Sequence, residues 1–262
     1  MSDWLHDLPV TGMAVVVFGV IYLVAAAIYA GVIGLATGER GRAFKGVTAG
    51  MLSPLGILFA LFVVFTASQV WSDNDRANAA VNREASALRA VLVLAGVFPG
   101  EHEATLRSLV RRHIEDAASR EWPMMAERTA TLSVTSPRLI EALRSTLAIV
   151  PGNQGQQTAQ AEIVADLEAA LAARRERVLI SQSQVGPVKW FCLFAQAFGL
   201  LLVVALVHCD NRLTVAIAMG IMATGIATSV LLIVAYDRPF TGQLAVGPGP
   251  LLQVMAAAAD TP

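Results

Sequence analysis

Charge is missing from four long stretches of the sequence. No Asp, Glu, Lys or Arg occurs in Val10 to Ala36, Val47 to Trp71, Trp190 to Cys209 or Leu213 to Tyr236. Each stretch has about the 20 residues that a helix needs to cross a hydrocarbon layer roughly 30 Å thick. The composition, 55% apolar and only 15% charged, excludes an ordinary soluble domain. We therefore predict an all-α integral membrane protein with four transmembrane helices in two pairs.

Cysteine is also scarce, and the four spans hold no acid or lysine. Cys192 and Cys209 would lie about 25 Å apart on one helix, which is too far for a disulfide, so we interpret both as small apolar fillers. Proton pumps and many transporters need carboxylates or lysines inside the membrane. Spans without them are typical of passive conduction or of a structural role.

The sequence contains no enzyme motif. It has no glycine-rich phosphate loop, no nucleophile elbow and no His-Glu pair at metal-ligand spacing. We expect no catalytic residue, no cofactor and no metal site. We interpret His6, His102 and His113 as solvated side chains.

Most charged residues lie between the two pairs of spans. By direct count, Asp73 to Lys189 holds 14 of the 19 basic and 14 of the 20 acidic residues. This balance excludes nucleic acid as a partner, because phosphate binding needs a basic face. We predict an N-terminal region with two spans (1–71), an inserted soluble helical domain (72–187), two further spans (188–236) and a C-terminal tail (237–262).

The stretch from Gly46 to Arg89 organises this arrangement. Its polar second part contains no Gly or Pro after Ser72, so we predict one continuous helix that leaves the membrane. Pro54 is either a tolerated kink or a bend that shapes a vestibule. The other soluble predictions are helices over Glu101–Trp122 (ended by Pro123), Pro137–Val150 (capped by Ser136) and Gln156–Val185, a loop over Met124–Thr135 and an irregular tail from Asp237.

The short loops between spans are predicted to be tight turns. The first span is expected to end at Thr37-Gly38, and Glu39 to Gly46 turns the chain back. Lys and Arg near the spans are more numerous on the side of the inserted domain, which favours a cytoplasmic domain.

Three large apolar residues recur every four positions in the second span. Ile57, Leu61 and Phe65 share one helical face, and several copies around an axis would stack them into three apolar rings. The polar residues Thr66 and Gln69 follow near the water boundary. Periodicity also allows these residues to face lipid or the bundle, because Leu58 and Phe62 offer a rival face.

Several short motifs resemble one family. The sequence looks like the uncharacterised bestrophin-like domain family of bacterial membrane proteins, which is distantly similar to bestrophin ion channels. The matching segments are Phe65–Trp71, Arg76–Arg89, Glu121-Trp122, Arg174–Arg177 and Asp237–Gly242.

The resemblance implies a homopentamer in which the second span lines an ion pathway. Ile57, Leu61 and Phe65 would form the neck. Asp237, Arg238, Pro239 and Phe240 resemble the step after the last span. Thr66-Ala67-Ser68 replaces the arginine and paired asparagines of bacterial bestrophins, and Thr241–Leu244 replaces the acidic calcium run of animal bestrophins. Calcium gating is therefore not expected.

We hypothesise an oligomeric ion channel of the bacterial inner membrane, with lipid and permeant ions as partners. The pore candidates are Ile57, Leu61, Phe65, Thr66 and Gln69. The candidates that couple the domain to the pore are Arg76, Asn82, Glu84 and Arg89, although Glu84 also suits an ion pair inside the domain. The alternative is a non-conducting scaffold or sensor whose helical domain binds a partner.

Overall fold

The computed structural model describes residues 3–35, 49–132 and 136–259. Within these ranges every regular element is helical, as predicted. The helices are α1 (Val10–Leu35), α2 (Leu52–Ala95), α3 (Glu101–Asp116), α4 (Trp122–Ala126), α5 (Pro137–Leu147), α6 (Gln154–Ser181), α7 (Pro187–Val207), α8 (Arg212–Tyr236) and α9 (Gly249–Ala259). The predicted end of the first span and the loop from Glu39 to Gly46 lie outside the described residues.

In the described ranges, four helices are long and apolar enough to cross a membrane, namely α1, α2, α7 and α8. This confirms the predicted spans. The helix α2 has 44 residues and continues without a break through its apolar and polar parts. Pro54 lies in the first turn of this helix, where the missing N–H of proline removes no intrahelical hydrogen bond. The proline therefore does not have to kink or bend the span.

The chain divides into two compact units. The membrane unit comprises Met1–Ser72 and Gln184–Arg238, and the charged unit comprises Asp73–Ser183 and Pro239–Pro262.

In the membrane unit, α1, α7 and α8 pack against one another. The inward stripe of α1 recurs every three to four residues, through Met13, Val17, Ile21, Ala25, Ile28 and Val32. Small residues at the contacts, such as Ala25, Ala223 and Ala227, let the backbones approach closely. Close packing of this kind replaces the hydrophobic effect as the force between helices in lipid.

In the charged unit, α3, α5 and α6 pack around a core of Leu, Ile, Val and Ala side chains. Leu88, Ile114, Leu139 and Ile163 are fully buried there. Each such side chain stabilises the fold by about 1.5–3 kcal/mol relative to an exposed one.

Two predicted boundaries in the charged unit are wrong. Pro123 does not end the helix, because a π-helical turn over Ala117–Glu121 precedes it and the helix continues as α4. The Trp122 N–H donates to the Ala117 carbonyl, five residues back, and this wider turn leaves room for the proline ring. The predicted loop from Met124 therefore begins in helix.

The C-terminal tail is not irregular, as its Gly and Pro content suggested. Helix α9 begins at Gly249, and Leu251 and Val254 are buried in the core of the charged unit. Pro250 is tolerated because it occupies the first turn. Two smaller corrections concern helix ends, since α5 stops at Leu147 rather than Val150, and α6 spans Gln154–Ser181 rather than Gln156–Val185.

Candidate functional site

Helix α2 carries the least covered apolar surface of the four spans. Within its most apolar segment only 22% is buried, whereas the corresponding share is 39% in α7 and in α8. Ile57, Leu61 and Phe65 are 59%, 48% and 72% exposed and lie on one stripe at spacing i, i+4. The predicted neck residues are therefore brought together on an open face.

The two polar pore candidates differ from each other. Thr66 is buried, and its hydroxyl donates a 2.8 Å hydrogen bond to the Phe62 carbonyl, so it does not lie on the open stripe. Gln69 is half-buried and continues the stripe four residues after Phe65. Its side-chain carbonyl accepts a hydrogen bond from the Lys189 ammonium of α7. The rival face is split, because Leu58 is exposed whereas Phe62 packs against the core.

A buried ionic cluster lies in the charged unit, and Arg177 of α6 is its centre. The Arg177 Nε and Nη2 donate to the two oxygens of Glu84 at 2.9 and 3.2 Å. Nη2 also donates to Glu121 at 2.9 Å. The guanidinium lies 4.4 Å from the centroid of the Trp122 ring. Neither Arg177 nor Glu84 exposes any surface.

Arg174 completes the charge balance of this cluster, and His113 and Ser136 extend its hydrogen bonds. Arg174 donates to Glu121 at 2.8 Å, so two guanidinium groups face two carboxylates. His113 Nε2 lies 2.8 Å from Glu84, and Ser136 Oγ lies 3.0 Å from His113 Nδ1. An ionised carboxylate can only accept, so the imidazole carries a proton on Nε2 and donates it to Glu84.

These contacts correct three predictions. His113 is buried rather than solvated, and so is His6. Ser136 precedes α5 as expected, but its hydroxyl bonds to His113 and makes no cap hydrogen bond. His102 is exposed, as expected.

The coupling candidates fall into two environments. Glu84 is in the buried cluster, whereas Arg76, Asn82 and Arg89 are exposed along α2. Arg76 lies 3.5 Å from Asp73, and the Asn82 amide donates to the Asn78 carbonyl.

All four residues of the post-span motif are buried. In the membrane unit, the Asp237 carboxylate accepts the Val185 N–H at 2.6 Å, and Arg238 is buried. In the charged unit, the Pro239 carbonyl accepts the Val246 N–H at 2.7 Å. Phe240 meets the Trp122 ring edge-on, with centroids 6.1 Å apart.

Burial and ion pairing act in opposite directions on the Glu84 pKa. Burial alone raises it, but the Arg177 charge, together with His113, outweighs burial and lowers the pKa from 4.5 to about 2. Glu84 and Glu121 raise the pKa of Arg177 against the effect of its own burial. The pair of Glu84 and Arg177 therefore stays ionised at neutral pH.

The low Glu84 pKa predicts a specific loss of stability in acid. A depressed carboxyl pKa stabilises the folded state above the unfolded pKa, and that stability is lost as pH falls towards the folded pKa. We expect a loss of about 3 kcal/mol between pH 4.5 and pH 2, measured by urea unfolding in detergent with tryptophan fluorescence. The Glu84→Gln variant should lack this component, and an unchanged acid profile in that variant would contradict the assignment.

No group of three or more potential metal ligands occurs among the residues that the structure describes. The buried cluster is ion-paired throughout, and its charges are matched. It contributes structure, which leaves the open stripe on α2 as the candidate site.

The fold and the stripe together define a helical membrane protein whose second span runs on into a charged helical unit. A family model described as the bestrophin-like domain matches residues 19–251. The chain belongs to the bestrophin-like domain family, and the resemblance noted in the sequence is confirmed.

Solved structures share this fold. A point mutant of a bacterial bestrophin homologue from Klebsiella pneumoniae gives a TM-score of 0.71 at 13% identity, covering 94% of this chain and 99% of that chain. A point variant described as a membrane protein gives 0.69 at 15% identity, covering 95% and 98%. No curated protein shows significant similarity to this chain.

Proposed function

We propose that this protein is a subunit of an oligomeric ion channel in the inner membrane of a bacterium, with α2 lining the pathway. The observation that carries the proposal is the open stripe of Ile57, Leu61 and Phe65 on the least covered span. Family membership supports the same reading, because bestrophins are ion channels. In the proposed assembly the segment 72–187 is the cytoplasmic domain.

The stripe suits an apolar constriction. Three large side chains at successive turns, repeated around an axis, would narrow the pathway over about 12 Å, since eight residues of helix rise by 1.5 Å each. Such a constriction controls conduction by excluding water. Gln69 would then form the polar exit, and buried Thr66 is left out of the lining. The resemblance favours five copies.

The part of α2 beyond the stripe belongs to the charged unit and is continuous, within one helix, with the proposed pore-lining segment. Arg76, Asn82 and Arg89 are proposed to transmit domain motion along this helix, while Glu84 fixes the helix to the core through Arg177. No charged side chain interrupts the stripe itself, so the pathway does not require a titratable residue in the neck.

The proposal is tested by copy number and current together. Purified protein in nanodiscs should form a single oligomer, counted by mass photometry, and should carry ionic current in planar bilayers. A symmetric assembly is required because one chain has no central axis for α2 to line. A monomer without current would refute the channel and favour a scaffold or sensor.

A further inference from the structure

The ammonium of Lys189 lies at the end of the open stripe on α2. Lys189 is in the first turn of α7, and its Nζ donates to the side-chain carbonyl of Gln69. Gln69 follows Ile57, Leu61 and Phe65 at the same four-residue spacing. The hydrogen bond therefore fixes a positive charge beside Gln69, the residue that follows the proposed neck.

This charge is held without being neutralised. A glutamine carbonyl is an uncharged acceptor, and no carboxylate in the described parts of the chain lies within salt-bridge distance of Lys189. The side chain is exposed, so it acts on the aqueous space around it. The partial positive charge of the α7 N-terminus has the same sign and adds to the local potential.

Three acidic residues are relevant to this charge. Asp73 follows Gln69 by one helical turn on α2, and its carboxylate lies 3.5 Å from the Arg76 guanidinium. Asp237 is buried and accepts the Val185 N–H, with His6 Nε2 at 3.9 Å. Asp7 is exposed and precedes α1. None of the three is paired with Lys189, whose partner is Gln69.

We propose that Lys189, positioned by Gln69, is the selectivity residue of the pathway and favours small anions. The inference rests on the proposed function, because repetition around the axis converts one ammonium into a ring of positive charge at the mouth. Rings of Lys or Arg select anions in pores by electrostatic attraction. A narrow mouth with low-dielectric walls focuses that field and enriches the counter-ion.

The first experiment measures reversal potentials in planar bilayers under a potassium chloride gradient. The wild-type protein should prefer chloride over potassium. Lys189→Gln should reduce the permeability ratio about threefold or more, Lys189→Glu should invert it, and Lys189→Arg should keep it within about twofold. The control is Asp7→Asn, which removes an exposed charge from the segment before α1 and should leave the ratio unchanged.

A second experiment reports the local potential without requiring current. Ser68→Cys places a thiol next to Gln69, in a background where Cys192 and Cys209 are alanine. Its modification by an anionic sulfonatoethyl methanethiosulfonate should be faster than by the cationic trimethylammonioethyl reagent. Lys189→Glu should reverse this order of rates.

The outcomes separate the two proposals. Current whose selectivity does not respond to Lys189→Gln or Lys189→Glu overturns the selectivity role and leaves the channel intact. Absence of current in every variant overturns the channel and with it the selectivity role, even if the thiol rates show an anion-attracting surface. The selectivity role of Lys189 is established if the permeability ratio changes with the charge at position 189 and the rates of thiol modification change in the same direction.

Discussion

Replacing Arg177 by methionine is expected to destabilise the charged unit by about 3–5 kcal/mol, the largest effect of any single substitution considered. Removing one partner of a buried ion pair leaves the other charge uncompensated away from water. Glu84 and Glu121 would lose three hydrogen bonds to the guanidinium, and Trp122 would lose the cation over its ring. Urea unfolding of the full chain in detergent, followed by tryptophan fluorescence, measures the loss.

Two matched variants show whether the loss comes from the buried pair. The double substitution Arg177→Met with Glu84→Met should recover part of the stability, because an apolar pair of similar volume leaves no unpaired Glu84 charge. Arg83→Met removes a guanidinium from the same helix as Glu84, but the pair of Arg83 with Glu176 is exposed. That change should cost about 0–1 kcal/mol. Equal losses of stability for Arg177→Met and Arg83→Met would contradict the claim that the buried ion pairs of Arg177 stabilise the charged unit.

Truncating the three side chains of the open stripe is expected to raise conductance. Changing Ile57, Leu61 and Phe65 together to alanine removes three large exposed side chains from α2 and should increase single-channel current about threefold or more, because a wider apolar constriction wets more readily. The measurement is single-channel current of purified protein in planar bilayers. The buried face of α2 is untouched, so the fold should be kept.

Helix α8 offers a control with the same spacing. Leu213, Ile217 and Ile221 recur every four residues and are 68%, 54% and 71% exposed. Their replacement by alanine removes similar volume from an apolar face that the proposal assigns to lipid or to helix packing. Conductance should stay within about twofold of wild type. A rise in the α8 variant, with none in the α2 variant, would move the pathway to α8.

The spans were predictable because absence of charge over a membrane-length segment is a direct physical requirement. The helical continuity of α2 was equally readable, since nothing after Ser72 breaks it. The helix α9 was missed because Gly249 and Pro250 were interpreted as breakers, although both are compatible with a first turn. Its stability comes from burial of Leu251 and Val254, which local composition does not reveal.

The buried cluster could not be paired from sequence, because Glu84 and Arg177 are 93 residues apart. A signal for it was present. Arg177 and Arg174 interrupt the apolar stripe of α6 that contains Ile163 and Leu167. Glu84 likewise lies among buried residues of α2, and His113 among those of α3. A charged side chain on an apolar stripe must find a partner inside the fold.

The π-helical turn over Ala117–Glu121 makes the length of this segment critical. A turn of this kind is equivalent to an α-helix with one inserted residue, so deleting one residue there would restore regular geometry. Because the extra residue is taken up within one wider turn, the deletion would leave the helix on either side in nearly the same rotational phase. Pro123 would then follow a regular α-helical turn, and its ring would clash with the carbonyl four residues back. A homologue with a one-residue alignment gap at this turn would have to replace the proline as well.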